Sequence, residues 1–243
     1  MIRIYCDNME KLPDSLKIEN NELLICLESV KLNLNDFWEK ILLKHFTRHG
    51  LDHSQRIIGI LGKLLKENDN LLNDQERFIL VAAVYLHDIG MQNPIQAGLE
   101  NKLEYDLNDA IIVREKHNET SAKIIREEPD KLGLNGKCRN YIDYIATIAE
   151  YHRKLDISDL ETASIAGENI RLDLLAALLK LGDGLDLDFN RVNIDYLDMQ
   201  EIPVESKFFW FAHYFVESVQ IEKGKIIFTM SYGEKIFSKR IFL

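Results

Sequence analysis

The sequence predicts a mainly α protein, a helical bundle with a small antiparallel β meander at its C-terminal end. Three observations predict it. Apolar residues recur at helical spacing through most of residues 36–187. One of those segments, QERFILVAAVYLHDIG, is apolar nearly all round, as a central buried helix is. After about residue 200 the chain changes character: FVESVQIE, KIIFTMSY and KIFSKRIFL are rich in aromatic and β-branched residues, with turn-like EKGK and YGEK between them. The expected division is an N-terminal segment (1–35), a helical core (36–200) and a β appendage (201–243).

The elements follow in order. Leu23 to Leu32 fits a strand or a short helix equally well. Asp36 reads as the N-cap of a helix over FWEKILLKHF. Asp52 or Ser54 opens the next, whose apolar stripe is Ile57, Ile60, Leu61, Leu64 and Leu65. Asn73 or Asp74 caps the apolar helix, and Gly90 stands where a C-terminal glycine cap belongs. Residues 92–108, with Pro94 and Gly98, read as an irregular insertion. Helical spacing returns in AIIVREKHNETSAKIIREE, which stops before Pro129. KLGLNGK is a turn, RNYIDYIATIAEYHRK a helix, and after a polar loop RLDLLAALLKLGDGLDLD is the last strongly apolar helix.

Composition bounds the function. With 243 residues, 46% of them hydrophobic and 29% charged, the chain can bury one core. A net charge of -10 disfavours broad, sequence-independent nucleic-acid binding, although a local basic groove stays compatible with it. Cys6, Cys26 and Cys138 are odd in number and widely spaced, so they suggest neither a disulfide framework nor a CxxC metal pattern. MIRIYCDNMEKLPDS lacks the apolar stretch of a signal peptide, and no apolar run is long enough for a membrane span. These features predict a cytoplasmic protein.

Three places carry the chemistry. His87-Asp88 ends a helix that otherwise reads as buried core. A buried carboxylate is costly unless compensated, and a cation held by imidazole and carboxylate would compensate it. The alternative is a histidine bonded to a backbone carbonyl and an aspartate capping the next turn. Asp183 lies deep in an apolar helix between Gly182 and Gly184, sharing a helical face with Ala176, Lys180 and Leu187. The alternative there is a Lys180–Asp183 pair at a helix end. His53 stands in the first turn of its helix.

The order of these residues resembles the HD superfamily of metal-dependent phosphohydrolases. HSQRI is similar to that family's first helix, LHDIGM to its HD helix and KLGDGLDLD to its last metal-binding helix. The likeness covers roughly residues 36–195, and its end, LLAALLKLGDGLDLDFNRV, is similar to a bacterial subgroup with a small β region after the domain. The resemblance implies an HD-type bundle whose metal is held by His53, His87, Asp88 and Asp183. His117 and His152 resemble the extra histidines of two-metal members. The alternative is one metal, with His117 and Arg114 contacting substrate phosphate. His49 reads as a surface residue, or as a support behind His53, and His45 and His213 match nothing.

Mixed imidazole and carboxylate donors suit one or two ions of Mn, Fe, Co, Ni or Mg better than a closed structural zinc. The expected activity is hydrolysis of a nucleotide-type phosphoester or phosphoanhydride by metal-activated water. Asp88 is expected at the reacting centre, and Arg114 and Lys180 are the candidates to stabilise developing negative charge. Two other readings are a single-strand nuclease and a regulatory module that only binds a ligand. The GYP signature of cyclic-di-GMP phosphodiesterases is absent. A small nucleotide is the favoured substrate over nucleic acid. The edge of the C-terminal meander is expected to serve a second copy or a partner protein.

Overall fold

A computed structural model describes residues 11–34, 36–38, 49–187, 204–222 and 224–230. Among them are seven α-helices: α1 (Asn21–Leu34), α2 (Leu51–Leu65), α3 (Asp74–Leu86), α4 (Leu107–Glu127), α5 (Ile142–Tyr151), α6 (Leu172–Leu185) and α7 (Val204–Phe215). Two hairpins accompany them. β1 (Thr162–Ile165) pairs antiparallel with β2 (Glu168–Arg171), and β3 (Val216–Glu222) with β4 (Lys225–Met230). The fold is mainly helical with a small antiparallel C-terminal hairpin, as the sequence predicts.

Helix α3 is the axis of the bundle. Every residue from Phe78 to Leu86 is buried, and α1, α2, α5 and α6 pack around it. Its start is fixed by a capping box: the Asn73 side chain accepts from the Glu76 N–H at 2.9 Å, and Glu76 accepts from the Asn73 N–H at 3.1 Å. Helix α4 opens with a second box, Asp106 with Asp109. Residues 11–34 join the same core, with Leu16, Leu27, Val30 and Leu34 fully buried.

Several expectations are corrected. The ambiguous segment near Leu23 is helix. Helix α2 begins at Leu51 behind Gly50, without a side-chain cap. Asp52 pairs instead with Arg56 one turn on, at 3.0 Å, and Ser54 donates to the Val84 carbonyl. Asp36–Trp38 form a 3-10 turn, and the rest of the helix expected there, 39–46, lies outside the described residues. The polar loop before α6 contains the β1–β2 hairpin. The aromatic run at 208–215 is helical and leads directly into β3, which packs on α2. The expected third strand, KIFSKRIFL, lies outside the described residues. Cys26 and Cys138 form a disulfide. Their 112-residue separation conceals that α1 and the 3-10 segment Gly136–Tyr141 lie side by side.

Gly90 is not a left-handed cap. It sits in the 3-10 turn Ile89–Gln92, with α4 against its backbone. Its N–H donates to Ser121 Oγ at 2.8 Å, and a Cβ there would stand 2.2 Å from the His117 carbonyl oxygen. Gly59 on α2 has nothing within 4 Å of the same position. Gly90→Ala is therefore expected to cost about 2–3 kcal/mol through forced separation of α3 and α4. Gly59→Ala should add up to about 1 kcal/mol through helix propensity. Urea unfolding of the two variants separates close approach from propensity, and equal effects would contradict this packing.

The β1–β2 hairpin is tied to α3 through one ion pair. Glu76 is fully buried and accepts from the Arg171 Nε at 2.8 Å and from its backbone N–H at 3.0 Å. Burial pushes the Glu76 carboxyl up, but the bonds from Arg171 and Asn73 outweigh it and hold its pKa below the ordinary value. This contribution to stability is complete above the unfolded pKa near 4.5 and is lost as pH falls through the lower folded pKa. Arg171→Ala should cost about 2–3 kcal/mol, less than a fully buried pair because the guanidinium is partly in water. Chemical denaturation between pH 7 and pH 3 checks both, since the variant should show a flatter acid limb than wild type.

Candidate metal centre

The chain order places the candidate residues on five elements that meet at one point. His53 comes from the first turn of α2, His87 and Asp88 from the end of α3, and His117 from the middle of α4. His152 follows α5 and Asp183 lies in the last turn of α6. All four histidines and Asp88 are buried, while Asp183 keeps its side chain 31% exposed. The structure brings these six together.

Asp88 is the hub. Its Oδ2 lies 3.5 Å from His53 Nε2 and 3.2 Å from His87 Nε2. Its Oδ1 lies 3.2 Å from His117 Nε2 and 3.8 Å from His152 Nε2. Asp183 Oδ1 closes the first side, 3.2 Å from His53 Nε2 and 4.0 Å from His87 Nε2. One carboxylate thus faces two groups of donors through its two oxygens. Asp88 precedes the 3-10 turn but makes no capping bond, so the capping alternative fails.

The opposite ring nitrogens explain why the donors point inward. His87 Nδ1 lies 2.8 Å from the Val84 carbonyl, His117 Nδ1 2.6 Å from that of Arg114, and His152 Nδ1 2.5 Å from that of Ala149. A carbonyl oxygen has no proton, so each Nδ1 carries one and donates it. In the neutral ring this leaves the Nε2 lone pair facing the cluster. The bond of His87 to a backbone carbonyl, read from sequence as the alternative to a metal role, is part of the arrangement that aims its other nitrogen.

The charges match a cation. Burial would raise the Asp88 pKa, but His87, His49 and His117 outweigh it and hold the carboxyl well below its usual range. Asp183 is likewise held low, with the His53 bond outweighing burial. Burial, reinforced by His87 and His117, pushes the His152 imidazole down to about 3, so it is neutral. Its bare Nε2 faces His117 Nε2 at 3.2 Å. His87 Nε2 is buried with no hydrogen-bond partner among the described residues. Burial would lower the His87 pKa, but Asp88 and Asp183 outweigh that and raise it, drawing positive charge to this spot. Two ionised carboxylates and inward lone pairs are the donor set that a divalent cation fits. Three sets of mutually close donors are present among the described residues: His49, His53 and Asp88; His53, His87 and Asp183; and His87, Asp88 and His152.

Two residues were missed or misread from sequence. His49 is not a surface residue, because its Nδ1 lies 2.6 Å from Asp88 Oδ2 and its ring stands edge-on to His53. Asp186, 2% exposed, holds His53 Nδ1 at 2.6 Å and accepts from Arg56 Nε at 2.9 Å. It stands within KLGDGLDLD, one helical turn after Asp183, but nothing in that pattern pointed to His53. Lys180 is exposed and its Nζ donates to the Leu155 carbonyl at 3.3 Å, so the alternative of a Lys180–Asp183 pair gives way to other partners. Arg114 is half-buried, one turn before His117, and its carbonyl also accepts from Arg153. His213 is buried on α7, and His45 lies outside the described residues.

No helix among the described residues is long and apolar enough to cross a membrane. No curated protein and no solved structure matches the chain. The HD-CE family model matches residues 43–235, a span that contains every residue of the cluster. The chain belongs to HD-CE, an HD-domain family.

Proposed function

We propose that the chain is a metal-dependent phosphohydrolase that cleaves a nucleotide phosphoester or phosphoanhydride. The observation that supports this reading is the convergence of four imidazoles and two carboxylates on one buried point, with Asp88 presenting an oxygen to each half of the set. His53, His87, Asp88 and Asp183 would hold one divalent cation, and Asp88, His117 and His152 a second. When bound, such an ion (Mn, Fe, Co, Ni or Mg) makes water more acidic and offsets charge on phosphate oxygens.

The chain's own residues do the rest. The carbonyls of Val84, Arg114 and Ala149 keep protons on the outer nitrogens of three histidines, so the inner ones stay available. The surrounding helices exclude water from Asp88, which strengthens every electrostatic contact it makes. Asp183 is the most exposed member and marks the side from which a substrate enters. Arg114 is assigned to charge on the phosphoryl group. Lys180 can share that role only by leaving the Leu155 carbonyl. The net charge of -10 favours a small nucleotide over a long polyanion.

The test is metal analysis of the purified protein, then product release with added Mn. Substrates are nucleoside triphosphates, cyclic dinucleotides, dinucleoside polyphosphates and short oligonucleotides. Asp88→Ala should abolish turnover while leaving the helical content, because removing a buried charge is not inherently destabilising. His152→Ala should lower the metal content by about half, the loss of one ion of two. Unchanged stoichiometry in His152→Ala selects the single-ion arrangement. Cleavage of oligonucleotides alone selects a nuclease, tight binding without turnover a ligand-binding module, and a wild type without metal overturns the proposal.

A further inference from the structure

We propose that Asp186, backed by Arg56, is a positioning residue that sets the tautomer of His53 and thereby makes His53 able to ligate a cation. The inference rests on the metal reading above. It starts from a difference among the four histidines. His87 and His152 directly follow helices, where the last turn leaves carbonyls without intrahelical partners. Those carbonyls take the Nδ1 protons of His87 and His152. His117, inside α4, uses the carbonyl three residues back in the same way.

His53 stands in the first turn of α2, and the Gly50 carbonyl three residues back accepts from Ser54 N–H. Its Nδ1 bonds instead to a side chain, Asp186 Oδ2, at 2.6 Å. Asp186 follows α6, three residues after Asp183, so one helix end grips both edges of the ring. Asp186 holds Nδ1, and Asp183 faces Nε2 at 3.2 Å. With its proton on Nδ1, His53 turns the Nε2 lone pair to Asp183 and Asp88. With the proton on Nε2, the same ring would donate to a carboxylate and could not ligate. All three carboxylates at the ring accept only, but Asp186 is the nearest, at 2.6 Å against 3.2 Å for Asp183 and 3.5 Å for Asp88, so it holds the proton on Nδ1. Arg56 donates to the other oxygen of Asp186 at 2.9 Å and reaches Asp52 at 3.0 Å, which fixes the carboxylate plane.

The experiment uses the full chain and two readouts. The first is the ¹⁵N signature of His53 in metal-free protein, assigned with a His53→Gln variant. The second is Mn²⁺ or Co²⁺ affinity by chelator competition. Wild type should show His53 protonated on Nδ1. Asp186→Asn offers an amide that can donate as well as accept, so its His53 signal should move toward protonation on Nε2. Affinity for one ion should fall about 10–100-fold. The His152-dependent ion should stay bound. Glu127→Ala, at an exposed carboxylate paired with Lys123 at the end of α4, is the control and should change neither readout. A His53 bare on Nδ1 and protonated on Nε2 in wild type overturns the inference without any variant, which covers the case in which Asp186→Asn does not fold. Wild-type affinity and signature in a folded Asp186→Asn overturn it as well. A wild type that takes up no metal overturns the metal reading, while the ¹⁵N result still judges Asp186.

Discussion

An ionised carboxylate cut off from water must be surrounded by donors or cations, and Asp88 is such a carboxylate at the end of the most buried helix of the bundle. Much of the molecule is arranged around that constraint. Five histidines, from α2, α4, the ends of α3 and α5 and the residues before α2, approach its two oxygens. An apolar replacement would relieve the cost and stabilise the core more cheaply. A centre that carries so many titratable groups at the expense of packing is best understood as a site of function.

The bundle geometry solves the aiming problem with ordinary helix physics. A helix end exposes carbonyls that need donors, and an imidazole placed just after the last turn can reach back to one. The same bond that finishes α3 or α5 points the second ring nitrogen into the bundle. Structural and chemical roles therefore do not compete at His87 and His152. At the N-terminal end of a helix this economy is unavailable, because free N–H groups face outward there. His53 is the ligand candidate in that position, and it draws support from a distant side chain.

Much of this was legible in the sequence, for identifiable reasons. Helical spacing and the all-round apolar character of α3 follow from local periodicity, and the order of His53, His87-Asp88 and Asp183 is a linear pattern. The even spacing of His117 and His152 reflects one helix plus one connection per ligand. What was not legible depends on contacts between distant segments. The bond of Asp186 to His53 spans 133 residues, and the Cys26–Cys138 bond spans 112. The short β1–β2 hairpin was hidden because its strands are four residues each and mostly polar. Gly90 was misread because a glycine after a helix has two uses, a left-handed turn or a close approach, and only the position of α4 decides between them.

That close approach has a consequence for the two halves of the cluster. Gly90 follows Asp88 by two residues, and its backbone lies against the His117 carbonyl and Ser121 on α4. The separation between the donors of α3 and those of α4 is thus set by backbone contact, which deforms less than a contact between long side chains. Asp88 also belongs to both halves, so a cation on either side changes the charge that the other sees. The two positions therefore form one electrostatic unit with a fixed spacing.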